Sequence, residues 1–89
     1  MIFKKLKINS KTFLNRISVS SMCQYSANNG SPSQWHYNHL SPLMSSGAGS
    51  IMMESTAVSK TGKITHKDLA IYSKKQANDL KKLLIYLKK

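Results

Sequence analysis

One cysteine, Cys23, occurs among 89 residues. No internal disulfide can form, and a reducing, cytoplasmic setting fits. No stretch approaches the ~20 apolar residues that span a bilayer. Met1 to Lys7 has the basic start of an export signal, but Asn9, Ser10 and Lys11 follow where an apolar core would have to stand, which argues against export. Acidic residues number only 3, against 14 Lys and Arg, for a formal net charge of +11. Arginine is nearly missing too, with Arg16 the sole example.

A charge of this sign suggests a polyanionic partner, either nucleic acid or an acidic membrane surface. Its distribution weakens that suggestion. Lys4, Lys5, Lys7 and Lys11 crowd one end, and Lys60, Lys63, Lys67 and the later lysines crowd the other. From Ile17 to Ser59 the only formal charge is Glu54. Dedicated RNA readers mix arginine and aromatics into their patches for forked contacts and stacking. A solvated lysine surface is the preferred reading. A small basic nucleic-acid-binding protein and a non-functional remnant stand as alternatives, the first predicting steeply salt-sensitive binding.

Leu6, Ile8, Phe13 and Leu14 suit two short strands around an Asn9-Ser10-Lys11 turn. Arg16 to Ser20 reads as a buried strand, and Ala27 to Ser33 as a loop. Ser33 is a good N-cap for a helix carrying Trp35, Tyr37, Leu40, Leu43 and Met44. Pro42 predicts a kink or an early end near Ser41. Gly47-Ala48-Gly49 stops that helix and turns the chain into a second strand, Ser50 to Val58. Its apolar start, Ile51-Met52-Met53, suits a strand covered on both faces. Ser59 to Lys63 is a loop. Ser73 and Gln76 form a capping box for a final helix with Ala77, Leu80, Leu84 and Leu87 in a stripe that Leu83 widens. The order is an N-terminal hairpin followed by two βα units. Two parallel strands alone leave edges and one face open, so the pattern reads as part of a larger α/β fold.

The chemistry-bearing residues cluster where strands end. Cys23 and Tyr25 stand two residues apart just after the first barrel-type strand, in Ser20-Ser21-Met22-Cys23-Gln24-Tyr25-Ser26. His36 and His39 share a helix face at i and i+3. A metal would need a third and fourth ligand, and only Cys23, His66 and acids placed elsewhere are at hand. Both histidines are read as structural, and no metal site is assigned. Glu54 reads as an internal hydrogen-bonding or ion-pairing group, with Arg16 as its candidate partner, rather than as a general base.

Four stretches together resemble the opening of the old yellow enzyme family of FMN-dependent NAD(P)H oxidoreductases, especially its YqjM-like branch. They are Leu6 to Ile17, Ser20 to Ser26, Trp35 to Leu40, and Gly47 to Val58 followed by Gly62-Lys63-Ile64-Thr65. Asp68 to Ser73 is similar to that family's entry into its second barrel helix. The resemblance covers nearly the whole chain, with order and spacing in agreement. It implies an α/β chain: the hairpin and first two βα units of a TIM (β/α)8 barrel, truncated, with residues 1–89 the N-terminal part of an FMN-binding domain. A complete barrel takes about 250 residues.

The same resemblance implies site residues. Ser20, Ser21, Met22 and Cys23 would line the flavin, and Ser55 matches another flavin contact. Cys23 would adjust the flavin potential; the plain alternative is a buried, inert thiol. Tyr25 would help position a substrate carbonyl; the alternative is an ordinary half-buried tyrosine. Ser21 stands where the family has Pro, Ser55 where it has a small apolar residue, and Pro42 is foreign to its first helix. The implied reaction passes hydride from NAD(P)H through FMN to an activated alkene, a small-molecule substrate. Family members are often homo-oligomers. The family's substrate-anion pair and phosphate loops match nothing in these 89 residues, so no catalytic residue is assigned and the chain alone is expected to be inactive.

Overall fold

The computed structural model describes residues 1–88. The hairpin at the start is antiparallel: β1 (Leu6–Ile8) pairs with β2 (Lys11–Phe13), Lys7 opposite Thr12. Asn9 takes a left-handed conformation in the turn between them (φ 54°), a conformation Asn tolerates better than most residues. Next come β3 (Ser18–Val19), α1 (Gln34–Met44) and β4 (Ser50–Ile51), with β3 and β4 parallel. β5 (Thr56–Ala57) then pairs in parallel with β6 (Leu69–Ala70), and α2 (Lys74–Leu87) follows.

Several expectations need correction. The strand expected over Arg16 to Ser20 is hydrogen-bonded only at Ser18–Val19. The strand expected over Ser50 to Val58 is two short pieces, because Met52 to Ser55 leave the ladder. Pro42 does not end α1, which continues to Met44. It lies in the last turn, where the missing N–H breaks one backbone bond near a terminus that frays in any case. The Ser41 hydroxyl donates to the Tyr37 carbonyl there at 2.6 Å. The loop from Ala27 to Ser33 contains a tight hairpin: Asn28 and Ser31 exchange two backbone hydrogen bonds. Asn29 and Gly30, both with positive φ, form its tip, as a type I′ turn demands.

Both helix starts are capped. The Ser73 hydroxyl accepts from the Gln76 N–H, and Gln76 Oε1 accepts from the Ser73 N–H. At α1 the Ser33 N–H donates to Nδ1 of His36 at 3.0 Å, so histidine fills the position that Glu or Gln usually takes. The buried face of α2 is rotated from the expected stripe. Leu83 is its fully buried centre, Gln76 is buried and Ala77 is exposed. Gln76 turns inward because its Nε2 donates to the Asn29 carbonyl, tying α2 to the 28–31 hairpin. The Ser31 hydroxyl adds a second tie to Asp79 at 2.7 Å. α2 also packs against α1, with Tyr37 and Tyr86 edge to face at 5.1 Å.

The core is thin. Ala27, Leu40, Ala57, Leu69, Ala70 and Leu83 are its buried apolar residues among those described. The radius of gyration is 14.3 Å, against about 12 Å for a compact chain of this length. An apolar groove lined by Leu40, Met44, Ile51, Met53, Leu84 and Leu87 runs between α1, β4 and α2. Asp68, just before β6, is a buried staple. Its carboxylate accepts from the Ile64 and Thr65 N–H groups and from the Thr65 hydroxyl. Burial pushes its pKa up, but the Thr65 and Ile64 hydrogen bonds and the Lys63 charge outweigh that and hold it below its ordinary value.

Two measurements check this account. Gly30 and Gly47 both have positive φ. A Cβ on Gly30 would run into the Gln76 amide and the Ala70 methyl, whereas one on Gly47 would meet nothing within 4 Å. Gly47→Ala is expected to lower stability by about 1 kcal/mol, from backbone strain alone, and Gly30→Ala by clearly more, in urea melts. For Asp68 the depressed folded pKa means its stabilisation is complete above the ordinary carboxylate range and is lost as pH falls through the folded value. The stability difference between wild type and Asp68→Asn should be largest at neutral pH and shrink in acid; a difference growing as pH falls would contradict the assignment.

Candidate functional site

β3 and β4 run parallel, so the segments leaving them emerge at one end of the pair. Ser20 to Ser26 leaves β3, and Met52 to Ser55 leaves β4. Two hydrogen bonds hold the segments together: the Met52 N–H donates to the Val19 carbonyl, and the Ser21 hydroxyl donates to the Met53 carbonyl, both at 2.9 Å. Strand carboxyl ends are where α/β barrels carry their sites.

The outward side of this ledge mixes hydroxyls with apolar surface. Ser20, Ser21, Met22, Tyr25, Met52 and Ser55 are all exposed, and Cys23 is half-buried. Cys23 is therefore neither fully buried nor fully open. Tyr25 is not half-buried: it is 54% exposed. Its backbone is left-handed, with φ 53°, a costly conformation for a bulky residue, and such outliers gather at functional sites.

The inward side is a polar network. Glu54 is buried, and its Oε1 stands 3.2 Å from Nε2 of His36, which has no solvent exposure. This corrects the expected partner: Glu54 faces His36 on α1, while Arg16 is exposed elsewhere. Because His36 Nδ1 accepts from the Ser33 N–H, the ring proton of the neutral form belongs on Nε2, toward the carboxylate. The approach misses good hydrogen-bond angles, so the contact is electrostatic rather than a formed hydrogen bond. The other carboxylate oxygen accepts a long bond, 3.4 Å, from the Gln24 N–H.

Gln24 was not singled out by the sequence, yet it is the most engaged residue of the loop. Its Oε1 accepts from the Trp35 indole N–H at 2.8 Å, its Nε2 donates to the Met22 carbonyl at 3.0 Å, and its own carbonyl accepts from the Ser26 hydroxyl. The one usable sequence sign was Glu54, an isolated charge in an otherwise uncharged stretch, which has to find an internal partner. Among the described residues, no group of three or more His, Cys, Asp or Glu side chains is placed to hold a metal ion. No described helix is long and apolar enough to cross a membrane.

The backbone matches solved structures. It superposes on morphinone reductase with a TM-score of 0.84 at 19% identity, covering 97% of this chain and 22% of that one. On the old yellow enzyme from Trypanosoma cruzi the TM-score is 0.82 at 21% identity, over 97% of this chain and 23% of that one. At such identities the likeness defines the fold: an α/β chain of the old yellow enzyme, TIM-barrel type. Sequence comparison is more specific. The model of the NADH:flavin oxidoreductase / NADH oxidase family matches residues 1–89, and the chain belongs to that family. An NADH:flavin oxidoreductase of Gibberella zeae is 35% identical over 85 residues, covering 96% of this chain and 21% of the relative. An NADPH dehydrogenase of Listeria monocytogenes is also 35% identical over 85 residues, covering 93% and 25%. The chain thus spans a quarter or less of the length of these relatives.

Tyr25 offers a direct test of the ledge. Tyr25→Gly removes a left-handed penalty of roughly 1–2 kcal/mol but makes the unfolded chain more flexible. A net gain of about 0.5 kcal/mol is expected in denaturant melts. A loss instead would show that the phenol is packed rather than displayed.

Proposed function

We propose that this chain forms the first part of the flavin- and substrate-facing surface of an FMN-dependent NAD(P)H oxidoreductase. The observation that carries the reading is the ledge of Ser20 to Tyr25 beside Met52 to Ser55 at the carboxyl ends of two parallel strands. Its residues suit a flat heteroaromatic ring. Exposed Met22 and Met52 offer apolar surface, and Ser20, Ser21 and Ser55 offer hydroxyls for a ring's polar edge. FMN, when bound, supplies the hydride chemistry, and the protein supplies binding, orientation and electrostatics.

Within that division, Ser20, Ser21, Met22 and Cys23 support the ring, and Ser55 borders it from the second segment. The half-buried Cys23 thiol is a soft, polarizable neighbour able to adjust a redox group beside it. Tyr25, displayed on its left-handed backbone, positions a substrate carbonyl through its phenol. The substrate class is a small activated alkene such as an enone. The family supports this reading, as does one solved relative described as morphinone reductase in complex with tetrahydroNAD, which holds a nicotinamide analogue. The setting proposed is cytoplasmic, and the family resemblance makes a homo-oligomer the assembly to test for. The 89 residues alone do not turn over substrate.

The test is flavin content. The product isolated from its source cells with an antibody against residues 1–30 should release FMN on heating, identified by fluorescence. Met22→Lys, which sets a charge on the apolar ledge at an exposed position, should lower the flavin content several-fold with an unchanged circular dichroism spectrum. A product with no flavin rejects the proposal, and FMN-dependent NADPH oxidation by the isolated 89 residues would reject the expectation of inactivity.

A further inference from the structure

We infer that Glu54, His36, Gln24 and Trp35 act together as a positioning device that sets the shape of the loop from Met22 to Tyr25. The inference rests on the proposed role of that loop as flavin and substrate surface. Gln24 is held at four points. Its N–H donates to Glu54, its carbonyl accepts from Ser26, its Oε1 accepts from Trp35 and its Nε2 donates to the Met22 carbonyl. The neighbouring Tyr25 then takes a backbone conformation that a free loop would avoid.

The anchors lie on a different element from the loop. Trp35 and His36 are consecutive residues in the first turn of α1, and the Ser33 cap fixes the His36 ring through Nδ1. Glu54 lies beyond β4 and faces both His36 and Gln24 with its two oxygens. The start of α1, the end of β4 and the loop after β3 therefore meet at one buried carboxylate. None of the four residues needs to touch the reacting atoms. They act through Met22 and Tyr25, and this makes them positioning residues.

Two variants separate this role from simple folding. Trp35 is 53% exposed, so Trp35→Phe removes the indole N–H while leaving the core intact. Glu54→Gln keeps the side-chain volume and removes the charge facing His36. Amide hydrogen exchange is measured across residues 22–25 in the wild-type chain and both variants. Ring nitrogen-15 shifts of His36 are recorded, and FMN content is assayed alongside. Wild type should show His36 protonated at Nε2 with Nδ1 as acceptor. Exchange at the Gln24 amide, which donates to Glu54, should quicken about 5-fold in each variant, the size expected for one lost hydrogen bond, while α2 amides stay protected. Unchanged exchange in both variants, or a His36 proton on Nδ1, overturns the inference. Quickened exchange in the variants, together with a wild type that holds no FMN, rejects the flavin reading alone and leaves the positioning device standing.

Discussion

A single buried carboxylate organises the ledge at the carboxyl ends of β3 and β4. An unpaired charge out of water is costly enough to unfold a small domain. Glu54 therefore requires that His36 and Gln24 come to it. His36 brings the first turn of α1, and Gln24 brings the loop after β3. The parallel pairing of β3 with β4 aligns both segments at one end. Hydrophobic burial alone would leave this geometry loose, because so few apolar residues are buried.

Polar staples do for the rest of the chain what Glu54 does for the site. Asp68 gathers the Ile64 and Thr65 N–H groups ahead of β6. Gln76 and Asp79 bind α2 to the 28–31 hairpin. Asn15 donates to the Gly47 carbonyl and accepts from the Gly49 N–H, fixing the turn into β4. Each contributes modestly by itself. Their placement at strand and helix ends sets the relative position of elements that share little apolar contact.

The open groove beside α1 and α2 and the exposed methionines of the ledge have one physical explanation in common. The matched portion is under a quarter of the solved chains that it superposes on. In the matched structures more than three quarters of the chain lies outside the match and is available to cover such faces; in these 89 residues they face solvent. Tyr25 keeps a left-handed backbone that glycine would adopt more easily, and its phenol is exposed rather than packed.

Local sequence determined a good deal of this. The N-caps at Ser33 and Ser73, the hairpin at Asn9, the helix stop at Gly47 and the two helices were legible because each depends on a few neighbouring residues, whereas β6 at Leu69–Ala70 was not expected. So was the family, since Ser20 to Ser26 and Gly47 to Val58 carry its motifs in order. Tertiary structure decided the rest. The strands contracted to two residues because a partner, not propensity, sets the length of a ladder. Leu83, read as only widening the stripe, became the buried centre of α2 and Ala77 was left exposed, with Gln76 reaching across to Asn29. Glu54 paired with His36 instead of Arg16, and Gln24 became the hub of the loop. These contacts join residues between 11 and 47 positions apart in the chain. No local pattern encodes them, because they exist only after the elements that carry them, α2 and the 28–31 hairpin among them, have packed.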